Sequence, residues 1–458
     1  MTDQALPQSL LLCPRCRRGS LARQRIGFVC EQCSSGFPVV GEVPWLFADP
    51  QAMLAEWRGR LRFLLLEIER EVRTLRAECA DAQLMPLTRR RLEHLAAAHE
   101  DHARRLAALL APLGLDQSAA GYATHLALRT RLPADQGLTN YYANLHRDWA
   151  WGDEENAAAL AVLEGLLAPD DAWGRTLVLG AGAGRLAYDI HMQCAPGITI
   201  ATDFNPLLLF VAREAVSGRA LELYEFPIAP RTLDDCAVLR RLLAPQPVRE
   251  GFHLVAADAL RAPFAPASFD TVVTPWFIDI IPEELATFAL RVNALLAPGG
   301  RWLNFGSLSF AQSARAQRLS PEESFEVVAG AGFAIAKSDE ASIPYMRSPA
   351  SRHGRIETVL AWNARKERDV AAPPEHSALP EWLIRTELPV PLLEDFQMQA
   401  ASTRIYAFLM SLIDGRRSMR DMARVLVEQR LMTPAEAEPA VRTFLTRMYE
   451  DSRQRAGF

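Results

Sequence analysis

Residues Leu177–Ile190 read LVLGAGAGRLAYDI. A short apolar run meets glycine at 180, 182 and 184, and a helical pattern begins at Arg185. A strand that enters a glycine turn and leaves it as a helix is a place where ligand and backbone approach closely. Glycine alone adopts the required backbone angles without a side-chain penalty and leaves room for the ligand. Taken singly, Gly180, Gly182 and Gly184 fit a dinucleotide site, a methyl-donor site or an ordinary tight turn.

The next strand narrows the choice. ITIATDF ends near Asp203, twenty-three positions past Gly180. A carboxylate there can accept hydrogen bonds from both ribose hydroxyls of an adenosine ligand. NAD and S-adenosylmethionine satisfy that equally. Two later stretches separate them. LVAADAL puts Asp258 at the end of a third strand, where an adenine edge lies in an S-adenosylmethionine site. FDTVVTPWFIDIIPEELATFALRVNALLAPGGRWLNFG then supplies a fourth strand, a helix and a fifth strand. With RTLVLG before them and ETVLAWNA after, six strand candidates alternate with helical stretches. This is the pattern of an α/β domain with a mostly parallel sheet, in the order of S-adenosylmethionine-dependent methyltransferases.

The likeness is closer than fold class. GAGAGRLAYDI, VVTPWFIDIIPE, LLAPGGRWLNFG and the upstream NLHRDWAWGDEEN resemble the carnosine N-methyltransferase family, with RDW (147–149) and FID (277–279) the most specific parts. The earlier PLTRRRLEHLAAAHEDHARRLAALLAPL resembles that family's N-terminal helical region. The resemblance runs from Leu87 to Lys366, roughly six-tenths of the chain. It implies that Asn144 and Arg147 hold the methionine end of S-adenosylmethionine, with Asn144 standing where the family has glutamine. An arginine suits a carboxylate because its guanidinium can grip both oxygens. The resemblance further implies that Gly180 lies in the cofactor turn and that Asp203, a glutamate in the family, takes the ribose. Asp258 and Ala259 fall on the adenine pair, with Ala259 in place of an aromatic residue. Pro275 replaces a cysteine, and Asp279 matches the acid that contacts a substrate imidazole.

The departures concern the acceptor. The family carries a histidine shortly after the stretch matching WLNFG, and the position here is Ala311. Its tyrosines near the last strand have no match in RHGRIETVL. Tyr345, His353 and Arg355 fall in the region that would close the acceptor pocket, and His353 is the candidate stand-in for the missing histidine. The expected catalytic residues are therefore Asp279 and His353.

At the N-terminus, Cys13 and Cys16 form CPRC, and Cys30 and Cys33 form CEQC, with thirteen residues between the pairs. Two such knuckles suit a tetrahedral four-thiolate zinc site of structural type. The stretch from Leu11 to Phe47, including GFPVVGEVPWL, resembles the zinc ribbon of the small activator subunit of tRNA methyltransferases. Cys79, Cys194 and Cys236 are scattered and read as packing residues.

The whole chain then divides as a zinc ribbon over 1–50, a helical region over 51–150, a class I S-adenosylmethionine-dependent methyltransferase (Rossmann-like) domain over 151–368, a Pro-rich linker over 369–382 and a small helical domain over 383–458. His94, His99 and His102 recur along one helix and read as solvated face residues rather than metal ligands. LIDGRRSMRDMARVLVE in the last domain resembles PqqD-type or winged-helix modules, which implies a peptide-bound acceptor or a protein partner; a helical cap is the plainer reading.

Composition limits the rest. A net charge of −5 with no basic run argues against a nucleic-acid partner. No stretch approaches the ~18 apolar residues of a membrane span, and there is no apolar signal core, so a cytoplasmic protein is expected. Of 50 basic residues only Lys337 and Lys366 are lysine, which points to a GC-rich, bacterial genome. The expected function is N-methylation of an imidazole-containing small molecule or peptide. Two other readings stand beside it: a non-catalytic scaffold on a relic fold, and a protein or RNA methyltransferase with the ribbon as adaptor.

Overall fold

A computed structural model describes residues 6–115, 142–310, 312, 314–373 and 388–455 of the chain. Ala311 and most of the expected linker lie outside the described residues. The chain forms two compact units, Met1–Ala378 and Leu379–Phe458.

The first unit opens with an antiparallel ribbon of four strands, β1 (Leu21–Gln24), β2 (Gly27–Cys30), β3 (Gly36–Val40) and β4 (Val43–Pro44). Two long helices follow, α1 (Pro50–Cys79) and α2 (Pro86–Leu110). Each starts on a proline, whose missing N–H costs nothing at a helix's first position. Asp49 caps α1 by accepting the Ala52 N–H at 2.9 Å. Leu54, Trp57, Leu61, Leu106, Leu109 and Leu110 are buried in one cluster with Phe210 and Val211 of the domain that follows.

After a short α3 (Tyr142–His146), five residues, Arg147–Trp151, form a turn of π-helix, a geometry frequent at functional sites. Next come α4 (Asp153–Gly165), β5 (Arg175–Leu179), α5 (Arg185–Gln193), β6 (Ile198–Asp203), α6 (Pro206–Val216), a hairpin of β7 (Leu221–Glu225) and β8 (Val238–Leu242), then β9 (Phe252–Ala256) and β10 (Phe269–Pro275). The domain closes with α7 (Leu285–Leu295), β11 (Leu296–Gly306), α8 (Pro321–Gly330), β12 (Phe333–Tyr345) and β13 (Arg355–Lys366). Seven strands form one sheet in the order β12-β13-β11-β10-β5-β6-β9. β9, β6, β5, β10 and β11 run parallel and β13 runs against them. The strand order reverses at β5, whose successor β6 lies on one side and β10 on the other. Open α/β sheets bind ligands in the crevice at the carboxyl ends of such a pair.

All six strand candidates are present. β12 was not anticipated, because only two of its thirteen residues are buried and its apolar start at Phe333 gives way to a charged stretch. The β7–β8 hairpin was also missed, and it corrects the reading of the α2 histidines as solvated. His102 is 4% exposed and sits edge-on to Tyr142, Tyr224 and Phe226, while His99 stacks on Phe226 at 4.0 Å. Short strands of mixed polarity gave no sign that they would cover that face.

The ribbon continues the sheet. Trp45 pairs in parallel with Ala256, and the Leu46 N–H donates to the Ala256 carbonyl at 2.8 Å, so the open edge of β9 is covered. Leu11, Phe28, Phe37 and Leu46 share a core with Val255, Leu260 and Phe264.

The second unit is described by itself. Three helices, α9 (Glu394–Ser411), α10 (Met419–Glu428) and α11 (Pro434–Arg455), pack around Leu409, Met422, Leu426 and Val441. Ser418 and Asp421 form a reciprocal cap at the start of α10. Among the described residues no helix is long and apolar enough to cross a membrane.

Candidate active site

A cavity of about 330 Å³ opens at the carboxyl ends of β5, β6 and β10. Its floor is the glycine turn. Gly180, Gly182 and Gly184 all have positive φ, at 67°, 60° and 86°. They do different work. A methyl group at Gly180 would collide with the Phe277 ring, whereas one at Gly182 would meet nothing within 4 Å. Gly182 therefore leaves space on the cavity side. Gly184 caps α5, and a methyl there would approach Ala212 of α6 to 3.3 Å. Gly184 serves helix packing and does not line the cavity.

Asp203 closes the turn from the next strand. Its carboxylate accepts the Gly182 N–H and the Asn205 N–H, each at 2.8 Å. Burial pushes its pKa up to about 6, against the backbone donors that favour the anion. A carboxylate has about four lone-pair sites, so capacity remains for two further donors.

The π-turn supplies the third wall. Arg147 donates to Asp148 at 2.7 Å and to Glu155 at 3.1 Å, and its pKa is raised because both neighbouring acids favour the cation against burial. Glu155 also accepts the Met346 N–H at 2.7 Å, and burial raises its pKa despite Arg147. The Trp149 indole donates to the Ala183 carbonyl at 2.8 Å, which ties the RDW segment to the glycine turn.

Asp279 stands on the remaining side. It is 3% exposed and accepts the Ser307 hydroxyl at 2.8 Å and the Ser309 N–H at 3.1 Å. Burial raises its pKa against these donors. Beside it, Trp276 has φ 50°, an uncommon conformation for a bulky residue, and its N–H donates to the Phe305 carbonyl at 2.6 Å. The Trp276 ring lies 4.9 Å from Tyr345, and the Arg355 guanidinium stands 4.5 Å over Tyr345.

The structure thus brings Asn144, Arg147, Gly180, Gly182, Asp203, Pro275 and Asp279 to one cavity. It does not bring the others there. Asp258 caps the short turn Ala259–Arg261 through the Leu260 N–H, and neither Asp258 nor Ala259 lines the cavity. His353 is exposed in the loop between β12 and β13, also away from it.

The sequence profile of the carnosine N-methyltransferases matches residues 136–368, 233 of 458 positions. The chain belongs to the carnosine N-methyltransferase family. The matched span contains every residue that lines the cavity. Among relatives, this family member is 27% identical over 213 residues to carnosine N-methyltransferase unmet of Drosophila melanogaster, covering 42% of this chain and 45% of that one. It is 25% identical over 203 residues to carnosine N-methyltransferase of Mus musculus, covering 39% and 49%. The chain spans about half the length of the curated relatives it matches. Among solved structures it is similar to phosphoethanolamine N-methyltransferase 2 of Haemonchus contortus in complex with S-adenosyl-L-methionine, at 20% identity and a TM-score of 0.30, over 44% of this chain and 43% of that one.

Sequence reading missed Glu155, Phe204, Trp276, Ser307 and Ser309. Glu155 had a local signal, since it sits two residues into α4 and eight after Arg147. Phe204 and Trp276 adjoin Asp203 and Pro275 without a mark of their own, and Ser307 and Ser309 reach Asp279 only through the fold.

A second cluster lies in the ribbon. The Sγ atoms of Cys13, Cys16, Cys30 and Cys33 are all within 4.8 Å of one another. Cys13 and Cys33 are 3.7 Å apart, and Cys16 and Cys30 are 3.6 Å apart. Four thiolates at ~2.3 Å from a central zinc would stand about 3.8 Å apart, so the geometry suits that ion. Backbone N–H groups of Cys16, Gln32 and Cys33 point at the sulfurs, as suits thiolate charge.

Proposed function

We propose that the chain is an S-adenosylmethionine-dependent N-methyltransferase acting on an imidazole-containing small molecule. The observation that carries this reading is the presence of Asp279, Asp203 and the glycine turn on one cavity at the strand-order reversal. S-adenosylmethionine supplies, when bound, a methyl group on a positively charged sulfur. Asp203 would accept the ribose hydroxyls with its remaining lone pairs. Gly182 leaves the space for their approach. Arg147, held in place by Asp148 and Glu155, would take the carboxylate of the methionine end, and those acids favour its ammonium.

A neutral imidazole presents a lone pair near pH 7, so it needs orientation more than a base. Asp279 would accept the ring N–H and turn the other nitrogen toward the methyl group. As the N–C bond forms and the S–C bond breaks, positive charge moves onto the ring, next to Asp279. A buried carboxylate that gains an ionic partner only as the reaction proceeds lowers the barrier more than it strengthens binding. Ser307 and Ser309 hold that carboxylate at one angle. Trp276 and Tyr345 give the acceptor an apolar wall. The four thiolates would hold a structural zinc that stabilises the ribbon.

A relic scaffold has no need for a buried acid held by two donors on the same cavity as Asp203. Radiolabelled methyl transfer to a panel of imidazoles tests the reading. Asp279→Asn is expected to bind S-adenosylhomocysteine as wild type does and to lose ~100-fold or more in turnover. Unchanged turnover in that variant would overturn it.

A further inference from the structure

We propose that Glu155 is a positioning residue, which makes the placement of the cavity wall at Tyr345 depend on the methionine end of the cofactor at Arg147. The proposal rests on the S-adenosylmethionine reading above. Glu155 stands in the first turn of α4 and is 5% exposed. Its two carboxylate oxygens serve different parts of the site. Oε1 accepts from Nη1 of Arg147 at 3.1 Å, and Oε2 accepts the Met346 N–H at 2.7 Å. One buried carboxylate thus joins the π-turn to the residue that follows β12.

Met346 needs such a hold. Its φ is 52°, a left-handed backbone that a residue other than glycine keeps only where its surroundings impose it. The preceding Tyr345 lines the cavity, with the Trp276 ring at 4.9 Å and the Arg355 guanidinium at 4.5 Å. Farther along, the loop is fixed from its other side. The Arg231 N–H donates to the Ala350 carbonyl at 3.0 Å, and the Arg352 N–H donates to the Ala229 carbonyl at 2.9 Å. Those bonds do not involve Arg147, whereas Glu155 does. A ligand with an ammonium and a carboxylate at Arg147 would fix the guanidinium that Glu155 shares and bring a second cation beside it. Burial works against the Glu155 anion, and an added cation works for it. An anionic oxygen also holds a backbone N–H more strongly than a neutral one. The wall at Tyr345 is then fully set only when the methyl donor is in place.

Hydrogen exchange at the Met346 amide tests this without an acceptor. The probes are S-adenosylhomocysteine and 5′-methylthioadenosine, which shares the adenosine and the sulfur but lacks the amino-acid end. At saturation, S-adenosylhomocysteine is expected to slow Met346 exchange by about fivefold or more, the range of a coupling between two sites. 5′-Methylthioadenosine should leave it near the rate of the free protein, and neither ligand should change the amides of residues 350–352. Glu155→Gln keeps an acceptor oxygen without the charge, so it should still bind S-adenosylhomocysteine and lose the difference between the two ligands. Glu155→Asp keeps the charge on a shorter arm and should retain part of it. Equal slowing by both ligands, no slowing by S-adenosylhomocysteine, slowing that spreads equally to residues 350–352, or a difference that Glu155→Gln preserves in full overturns the proposal while the cofactor reading stands. Failure of wild type to bind S-adenosylhomocysteine overturns both.

Discussion

The carboxylate of Asp203 accepts the backbone N–H of Gly182 at 2.8 Å, so the acid that ends β6 closes the glycine turn that follows β5. Two strands adjacent in the sheet are thereby fixed at the point where the proposed cofactor would enter. The same carboxylate is buried, with a pKa of about 6. Ribose hydroxyls would donate to its anion, so cofactor affinity should fall as pH drops through about 6 and the acid is protonated. Titration of S-adenosylhomocysteine from pH 7.5 to pH 5 checks this. Asp203→Asn should weaken binding by at least ~tenfold and remove the step near pH 6.

The turn glycines should differ in tolerance. Gly182→Ala carries only the cost of a left-handed backbone, ~1 kcal/mol. Gly180→Ala adds a collision with Phe277, so a loss of ~2–4 kcal/mol is expected. Chemical denaturation of the two variants decides the order. Equal losses would mean that Phe277 is free to move aside.

The buried imidazoles should withdraw stability in acid. Burial lowers His99 and His102 to about 4 and His146 to about 3. Below the unfolded value of ~6.5 the unfolded chain takes up protons that the folded chain refuses, so their contribution declines from about pH 6.5 toward pH 4. Asp203, Glu155, Asp189 and Asp279 act the other way, since their raised pKa makes the folded state bind a proton first, so the imidazole contribution is read from the difference between wild type and a His102 variant. His102→Phe keeps a ring against Tyr142 and Phe226 and should flatten the decline by up to ~1.4 kcal/mol per pH unit. A set of thermal melts at fixed salt measures the slope.

Zinc should be present at one ion per chain and should stabilise more than the ribbon. Leu46 donates to Ala256, and the Ala257 N–H donates to the Asp203 carbonyl at 3.0 Å, so ribbon, edge strand and cofactor acid are joined by consecutive backbone bonds. Chelation, or Cys16→Ser, is expected to lower the melting temperature of the whole first unit. Metal analysis of purified protein and melts with and without chelator test this. A ribbon that melts alone, with the main transition unmoved, would show that the two cores are independent.

Much of the site was legible because its signals are local. The glycine turn, Asp203 at a strand end and the paired cysteines each announce themselves within a few residues. Arg147 and Asp279 were legible only through family resemblance, since one arginine and one aspartate have no period or spacing to mark them. The residues that fix them, Glu155 for Arg147 and Ser307 with Ser309 for Asp279, depend on tertiary approach. The α2 histidines were misread for the same reason: a helix pattern shows which residues share a face, not that a hairpin more than a hundred positions later will cover it. β12 escaped notice because a strand with only two buried residues needs no apolar alternation.

The most direct measurement is isothermal titration of the zinc-loaded protein with S-adenosylhomocysteine. One site per chain with micromolar affinity is expected, weakened sharply in Arg147→Ala and Asp203→Ala. An absence of binding in a folded, zinc-loaded protein would contradict it.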